Sequence, residues 1–336
     1  MEKMVKKIVS VAFVVLIGLP LIVTVFNWSS FTDGELKEKP GLGEEGSRIP
    51  FPEVHLTPKF FVHMDAYVSE NFPFRDVLVH MNALRDVKLL KSSFNNDVLV
   101  GKDGYLFLSE TVSGSDLSED ELYGISSWLK KVEDRVVACG AKPLFIFIPD
   151  KRSIYEDKLP GRLEDEIYLN YEVAEARFDE EGIEFVALKE FLKEAYNVSE
   201  VYSKLDTHWN RYGAYLAFGR ILEALNLKSL PQDDFQDYER YGDLSRMLGV
   251  GEKEVTYEPQ VDLSGVNFSG KVVLYYDSFG LGLLPFFDQV FSKVESHHIM
   301  DVSPYDLERN CWGRADYVII EIVERAITHL LNFTND

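Results

Sequence analysis

The sequence predicts an α/β fold, a doubly wound parallel sheet, preceded by an N-terminal transmembrane helix. Three observations carry this. Short continuous apolar runs, among them Leu144–Ile148, Val272–Tyr275 and Tyr317–Ile322, alternate with stretches of helical period, as strands buried on both faces of a sheet do. Polar turn segments separate them. An uncharged run from Ile8 to Phe26 follows Lys3, Lys6 and Lys7, and at about 1.5 Å per residue it spans roughly 28 Å, one hydrocarbon core.

The N-terminal lysines place the tip of the chain in the cytoplasm and export the remainder, with Trp28 at interface depth. A cleaved signal peptide has a shorter apolar core and a small-residue cleavage site, and no such site follows here. The expectation is a single-pass protein of the cell membrane. Residues 1–29 form the cytoplasmic tip and anchor, 30–57 a juxtamembrane linker rich in Pro, Gly and charge, and 58–336 one extracytoplasmic domain.

The elements follow in order. Pro58–Glu70 and Arg75–Lys91 read as amphipathic helices broken at Asn71-Phe72-Pro73-Phe74, since proline disfavours helix at the residue before it. Val98–Val100 and Tyr105–Leu108 flank Gly101-Lys102-Asp103-Gly104, a hairpin signal. Ser118–Cys139 reads as helix with a Ser118/Glu121 capping box. Then come strand Leu144–Ile148, helix Leu163–Glu180, strand Glu184–Leu188, helix Arg211–Leu225, strand Val272–Tyr275, helix Leu281–Val290, strand Val294–Ile299 and strand Tyr317–Ile322.

Composition narrows the function classes. The chain has 336 residues, 46% of them hydrophobic, which is a folded protein's composition. Its net charge is −21, and Glu2, Lys3, Lys6 and Lys7 give residues 1–30 a net of +2, leaving −23 on the exported part. An acidic surface excludes nucleic acid as the partner. The two cysteines, Cys139 and Cys311, cannot build a disulfide scaffold or a cysteine zinc cluster. Each precedes a strand. One bridge is open to an exported protein, but two buried free thiols are the expectation.

Three segments at strand ends carry reactive groups, and ligands of such sheets bind at the carboxyl ends of strands. After Val272–Tyr275 come Tyr276, Asp277, Ser278, Phe279 and Gly280. A serine at a strand-to-helix turn is exposed at the sheet edge, and backbone N–H groups there, those of Ser278 and Phe279, can receive an oxyanion. The competing reading makes Asp277 or Ser278 a helix N-cap. The second segment, Asp206-Thr207-His208-Trp209-Asn210, precedes the Arg211–Leu225 helix. A carboxylate beside a histidine fixes its tautomer and stabilises the imidazolium. A capping segment or a metal ligand is the alternative, and no partner follows at metal-site spacing. The third is Asp150-Lys151-Arg152-Ser153-Ile154-Tyr155, where Lys151 and Tyr155 are candidates to bind substrate hydroxyls or an acyl carbonyl; a plain surface turn is the rival. Arg325, after the last strand, is the third candidate for substrate binding.

Asp206-Thr207-His208-Trp209 followed by Asp277-Ser278-Phe279 resembles the alginate O-acetyltransferase group of the SGNH-hydrolase superfamily. Asn71-Phe72-Pro73-Phe74-Arg75-Asp76, Gly101-Lys102-Asp103-Gly104-Tyr105-Leu106-Phe107, Pro149-Asp150-Lys151, Gly242-Asp243-Leu244 and Ile320-Glu321-Ile322-Val323-Glu324-Arg325 occur in that group's order. The resemblance covers roughly 58–331, the extent of one large α/β domain. It implies an SGNH-hydrolase-like catalytic domain with Ser278 as nucleophile, His208 as base and Asp206 as its orienting partner, without metal or organic cofactor. It further implies acetyl transfer to a polysaccharide acceptor outside the membrane, the acyl donor coming from a multi-spanning membrane acyltransferase. One departure stands out: the superfamily has glycine before Asp-Ser, where this chain has Tyr276. An acetyl esterase with the same triad, and a noncatalytic glycan-binding or assembly protein on the same scaffold, remain open. Lys151, Arg152 and Arg325 together predict a basic or neutral cleft in an acidic surface, suited to a neutral or weakly charged glycan.

Overall fold

The computed structural model describes residues 59, 62–63, 75–93, 95–112, 116–160, 170–231, 234–302 and 311–333. The expected transmembrane run Ile8–Phe26 and the linker 30–57 lie outside them, as do most of the expected helix Pro58–Glu70 and the first part, 163–169, of the expected helix Leu163–Glu180. Among the described residues no helix is long and apolar enough to cross a membrane.

The chain divides into two compact units. Of the described residues, the first takes those up to 95 together with 245–252. It contains α1 (Arg75–Arg85), which runs on through Asp86–Leu90 and stops at Lys91 in the left-handed region, φ 50°. The ring nitrogen Nδ1 of His80 on α1 lies 2.9 Å from the Gly249 carbonyl.

The second unit takes 96–244 and 253–336 and holds every candidate site residue. It opens with the expected hairpin, β1 (Val98–Val100) against β2 (Leu106–Leu108). Asp103 and Gly104, at φ 55° and 77°, turn the chain between them. α2 (Glu119–Ala138) begins at the expected capping box, the Ser118 Oγ accepting from the Glu121 N–H and the Glu121 carboxylate from the Ser118 N–H. Its buried face, Leu122, Ile125, Trp128, Leu129, Val132 and Val136, has the three- and four-residue spacing of one helical stripe. β3 (Lys142–Ile148), α3 (Asn170–Glu180), β4 (Phe185–Ala187), α4 (Lys189–Tyr196) and α5 (Arg211–Ala224) follow. An antiparallel arm, β5 (Asp234–Tyr241) and β6 (Lys253–Gln260), precedes β7 (Phe268–Tyr276), α6 (Leu284–Val290), β8 (Phe291–His298) and β9 (Tyr317–Val323). Neither α4 nor this arm was legible as an element in the sequence.

β3, β4, β7, β8 and β9 make one parallel sheet in the order β4-β3-β9-β7-β8. Every residue of β9 is buried, Glu321 included, so both faces of the sheet are covered there. Ile148 pairs with Val323, and Tyr276 with His298. The carboxyl ends of β3, β9, β7 and β8 therefore open on one edge, and the candidate segments 149–155, 277–280 and 324–325 leave from it.

The expectation of two free thiols is overturned: Cys139 and Cys311 form a disulfide, their Cα atoms 5.2 Å apart. Topology explains it. Cys139 ends α2 just ahead of β3 and Cys311 lies just ahead of β9, and those strands are neighbours running the same way, with Lys142 opposite Tyr317. Their entry points are adjacent although the cysteines are 172 residues apart in sequence.

Candidate active site

Asp277 builds the turn that presents Ser278. Its Oδ1 accepts the Phe279 N–H at 2.8 Å and its Oδ2 the Val323 N–H at 2.7 Å. The Asp277 N–H donates to Glu321 Oε2 at 3.0 Å. Glu321 sits fully buried within β9. Burial, and next the charge of Asp277, push its carboxyl well above the usual range, which favours the neutral acid. The turn also needs Gly280, because a Cβ there would lie 2.4 Å from Tyr276 Cβ and 2.8 Å from Glu321 Oε2. Tyr276, in the place where the resemblance expects glycine, turns edge-on to His298, ring centroids 5.6 Å apart.

The Asp206–His208 segment is presented ahead of α5. Asn210 caps that helix, its Oδ1 accepting the Gly213 N–H. Trp209 packs edge-on against Phe279 and donates from Nε1 to the Phe279 carbonyl at 3.2 Å, locking this segment to the serine turn. The His208 Nε2 lies 3.0 Å from Ser278 Oγ, and its Nδ1 lies 2.8 Å from Asp206 Oδ1. A carboxylate on Nδ1 selects the tautomer that carries its hydrogen there and leaves the Nε2 lone pair facing the serine hydroxyl. The Asp206 Oδ2 accepts Arg240 Nη2 at 2.6 Å and the Asp243 N–H at 3.2 Å. Burial alone would raise the Asp206 carboxyl. The His208 hydrogen bond and the Arg240 charge outweigh it and hold the group well below the usual carboxylate range. Ser278 and His208 are half-buried and Asp206 is buried.

Two residues of this network went unassigned in the sequence. Arg240 comes from β5, the arm whose charged composition hid it. Asp243, already noted in Gly242-Asp243-Leu244, accepts the Thr207 N–H at 2.8 Å and the Thr207 hydroxyl at 2.5 Å. Gly242 permits that approach, since a Cβ there would lie 1.9 Å from the Leu205 carbonyl oxygen. Asp206, His208 and Asp243 have one ligand atom each within 4.8 Å of one another, the only such trio among the described residues. The two oxygens of Asp206 and the His208 Nδ1 are already engaged with each other, Arg240 and Thr207, so the arrangement fits an orienting network better than a cation site.

The remaining candidates divide. Lys151 is buried and its Nζ donates to the carbonyls of Leu106, Lys204 and Asp206. Tyr155 is fully buried, its hydroxyl accepting the N–H groups of Val201 and Tyr202. Both side chains are thus buried, Lys151 opening the short helix Lys151–Ile154 and Tyr155 following it. Arg325 stays at the edge. It pairs with Asp150 and lays its guanidinium over the Phe279 ring, 5.1 Å from the centroid. It lines a cleft of about 410 Å³ that reaches Ser278, with Asp150, His298, Met300 and His329 among its other walls. Arg152 also lines it but is paired with Glu324 at 2.7 Å. Both guanidiniums are thus matched by carboxylates, and the cleft is not basic. The expected pair of oxyanion donors is reduced to one. The Phe279 N–H is taken by Asp277, whereas among the described residues nothing accepts from the Ser278 N–H.

A family model described as SGNH hydrolase-like domain, acetyltransferase AlgX, matches residues 98–269, just over half of the chain. The chain belongs to this family. The match takes in Asp206, His208, Arg240 and Asp243 and ends before Ser278. The chain is 26% identical over 187 residues to a probable alginate O-acetylase AlgJ of Pseudomonas putida, covering 54% of this chain and 48% of that one. It is 26% identical over 207 residues to the protein of that name from Pseudomonas aeruginosa, covering 60% and 50%. The chain therefore spans about half the length of the curated relatives it matches. A DHHW family protein from Eubacterium siraeum superposes with a TM-score of 0.52 at 16% identity, over 72% of this chain and 96% of that one, a likeness of fold.

Proposed function

We propose that this protein is an O-acetyltransferase that modifies hydroxyls of an extracytoplasmic polysaccharide through an acetyl-Ser278 intermediate. The observation that carries the reading is the continuous contact from Ser278 Oγ through His208 to Asp206, at the carboxyl edge of the sheet in a member of an acetyltransferase family. His208 Nε2 takes the Ser278 proton as Oγ attacks the acetyl carbonyl. The Ser278 N–H faces the developing oxyanion, and His208 returns the proton to the departing donor oxygen. A sugar hydroxyl then attacks the acetyl-serine, His208 taking its proton, and Ser278 is regenerated. Asp206, kept ionised by the His208 hydrogen bond and the Arg240 charge against its burial, stabilises the imidazolium at each stage.

The donor's acetyl group comes from a multi-spanning membrane acyltransferase. The chain is held at the membrane by Ile8–Phe26, with Lys3, Lys6 and Lys7 on the cytoplasmic side. The acceptor is a neutral or weakly charged glycan, since the exported part is strongly acidic and Arg152 and Arg325 are each offset by a carboxylate. Water in place of the sugar makes the same site an acetyl esterase. Offering the purified protein an activated acetyl ester with graded oligosaccharide separates the two: the transferase reading expects acetylated sugar to displace free acetate as the oligosaccharide rises. Acetate as the sole product at every concentration assigns the esterase, and no turnover at all assigns the binding role. Preference for uronate oligomers at low salt, where repulsion is least screened, contradicts the choice of acceptor.

A further inference from the structure

Among the described residues near the site, the buried Lys151 is a cation whose three donors are all spent on backbone. Its Nζ donates to Leu106 O at 2.7 Å, Lys204 O at 2.9 Å and Asp206 O at 3.1 Å. Two of these acceptors belong to the loop that carries Asp206 and His208. The opposite side of the same loop is held by carboxylates. Glu254 on β6 accepts the N–H groups of Lys204 at 2.5 Å and Leu205 at 3.2 Å, and Asp243 accepts that of Thr207 at 2.8 Å. The loop is thus fixed on its carbonyl side by one ammonium and on its N–H side by two acids.

We propose that Lys151 is a positioning residue of the acyl-transfer site: its ammonium fixes the 204–206 backbone so that His208 Nε2 meets Ser278 Oγ. Three carbonyls saturate an ammonium. A neutral amine has two hydrogens and would turn a lone pair toward a third carbonyl, so the clamp requires the charged form. The groups facing Lys151 are the acids Glu254, Asp206, Asp243 and Glu200, with the Tyr105 and Phe107 rings 5.6 and 5.2 Å from Nζ. Lys204, on the loop itself, also lies over Tyr105. Burial pushes the Lys151 amine down, the four acids partly restore it, and the balance is about 8. The sign follows. Below that value the clamp is complete, and as pH rises through it the loop loosens and Ser278 loses its base, against the usual gain of a histidine-assisted serine with rising pH.

The inference rests on Ser278 being the nucleophile, and the test separates the two. Full-length protein is treated with phenylmethylsulfonyl fluoride. Ser278 Oγ bonds to sulfur, fluoride leaves, and His208 takes the hydroxyl proton. The rate of mass gain is followed across pH, with circular dichroism as a check on folding. The wild type is expected to label more slowly as pH passes about 8, reversibly and with its fold intact. Lys151→Met should label roughly ten- to a hundredfold more slowly at neutral pH, the range expected for a small misplacement of a catalytic group. Its saturation constant for the reagent should be unchanged and the alkaline fall absent. Lys151→Arg, charged at every pH, should recover part of the rate and also lack the fall. Lys151→Met labelling at the wild-type rate, or a wild-type rate that holds level above the transition, overturns the proposal; if Lys151→Met does not fold, the wild-type profile decides. Ser278 unlabelled at every pH refutes the nucleophile instead. The His208 Nδ1 proton shared with Asp206, observed by NMR, then reads the clamp, kept in the wild type and lost in Lys151→Met if the proposal holds.

Discussion

Arg240→Met removes the cation that faces the buried Asp206 carboxylate and keeps most of the arginine stem. Asp206 thereby gives up one charge-assisted hydrogen bond of 2.6 Å. Breaking a fully buried pair costs about 3–5 kcal/mol. Here Asp206 is buried but the Arg240 side chain is 30% exposed, and Asp206 keeps its bonds to His208 and the Asp243 N–H. The cost should be nearer the loss of one hydrogen bond to a charged group, about 1.5–3 kcal/mol. For a domain of this size each kcal/mol shifts Tm by about 2–4 °C, so a drop of several degrees is expected at neutral pH. Acid makes the test specific. The Asp206 carboxyl is held below its ordinary value in the folded state. Its contribution is therefore present above the ordinary carboxylate range and is lost as pH falls through the lowered value. The gap between wild type and Arg240→Met should close as pH falls through that window and stay open above it. Urea titrations at several pH values measure this. A gap that is absent at neutral pH, or that does not narrow in acid, refutes the assignment of Arg240 to Asp206.

Three further outcomes follow from the site and its support. Asp206→Asn should leave the fold in place and lower acyl-enzyme formation by about 10⁴-fold, since an amide selects the wrong histidine tautomer; timed intact-mass measurements read it. Glu321→Gln should gain stability relative to wild type as pH rises above the ordinary carboxylate range. The wild-type carboxyl is raised by burial, so its contribution is full below the unfolded value and lost as pH rises through the folded one, whereas the amide does not titrate; melting curves across pH check this. Reducing Cys139–Cys311 should destabilise the fold by about 2–5 kcal/mol, seen as a lower Tm with reductant and as two new thiols by alkylation and mass spectrometry.

The sheet was legible because its strands advertise themselves. β3, β7 and β9 each hold an apolar run without period-2 gaps, at 144–148, 272–275 and 317–320, and Ser118 with Glu121 marked the start of α2 from sequence alone. The two reactive segments were legible as candidates because each sits at the end of a strand or the start of a helix, though an N-cap role for Asp277 or Ser278 and a capping or metal role for Asp206 and His208 competed with the reading. What stayed hidden was set by partners distant in sequence. The β5–β6 arm reads as polar chain, with Asp237, Glu239 and Arg240 in one strand, and its pairing comes from a register spanning residues 234–260. Arg240 was therefore an unremarked surface charge until β5 brought it to Asp206. Lys151 misled in the opposite way. A lysine after a strand reads as an exposed cation, and only the carbonyls of Leu106, Lys204 and Asp206 turn it inward. The cysteines looked unrelated because parallel pairing of β3 with β9, not spacing, makes them neighbours.

In the proposed reaction Ser278 carries the acyl group. Full-length protein exposed to an activated acetyl ester, quenched in acid and analysed by intact and peptide mass spectrometry, tests it directly. One acetyl group per chain is expected, located on the peptide containing Ser278, absent in Ser278→Ala and discharged when an oligosaccharide acceptor is added. A protein that stays unmodified, or one acetylated equally in Ser278→Ala, contradicts it.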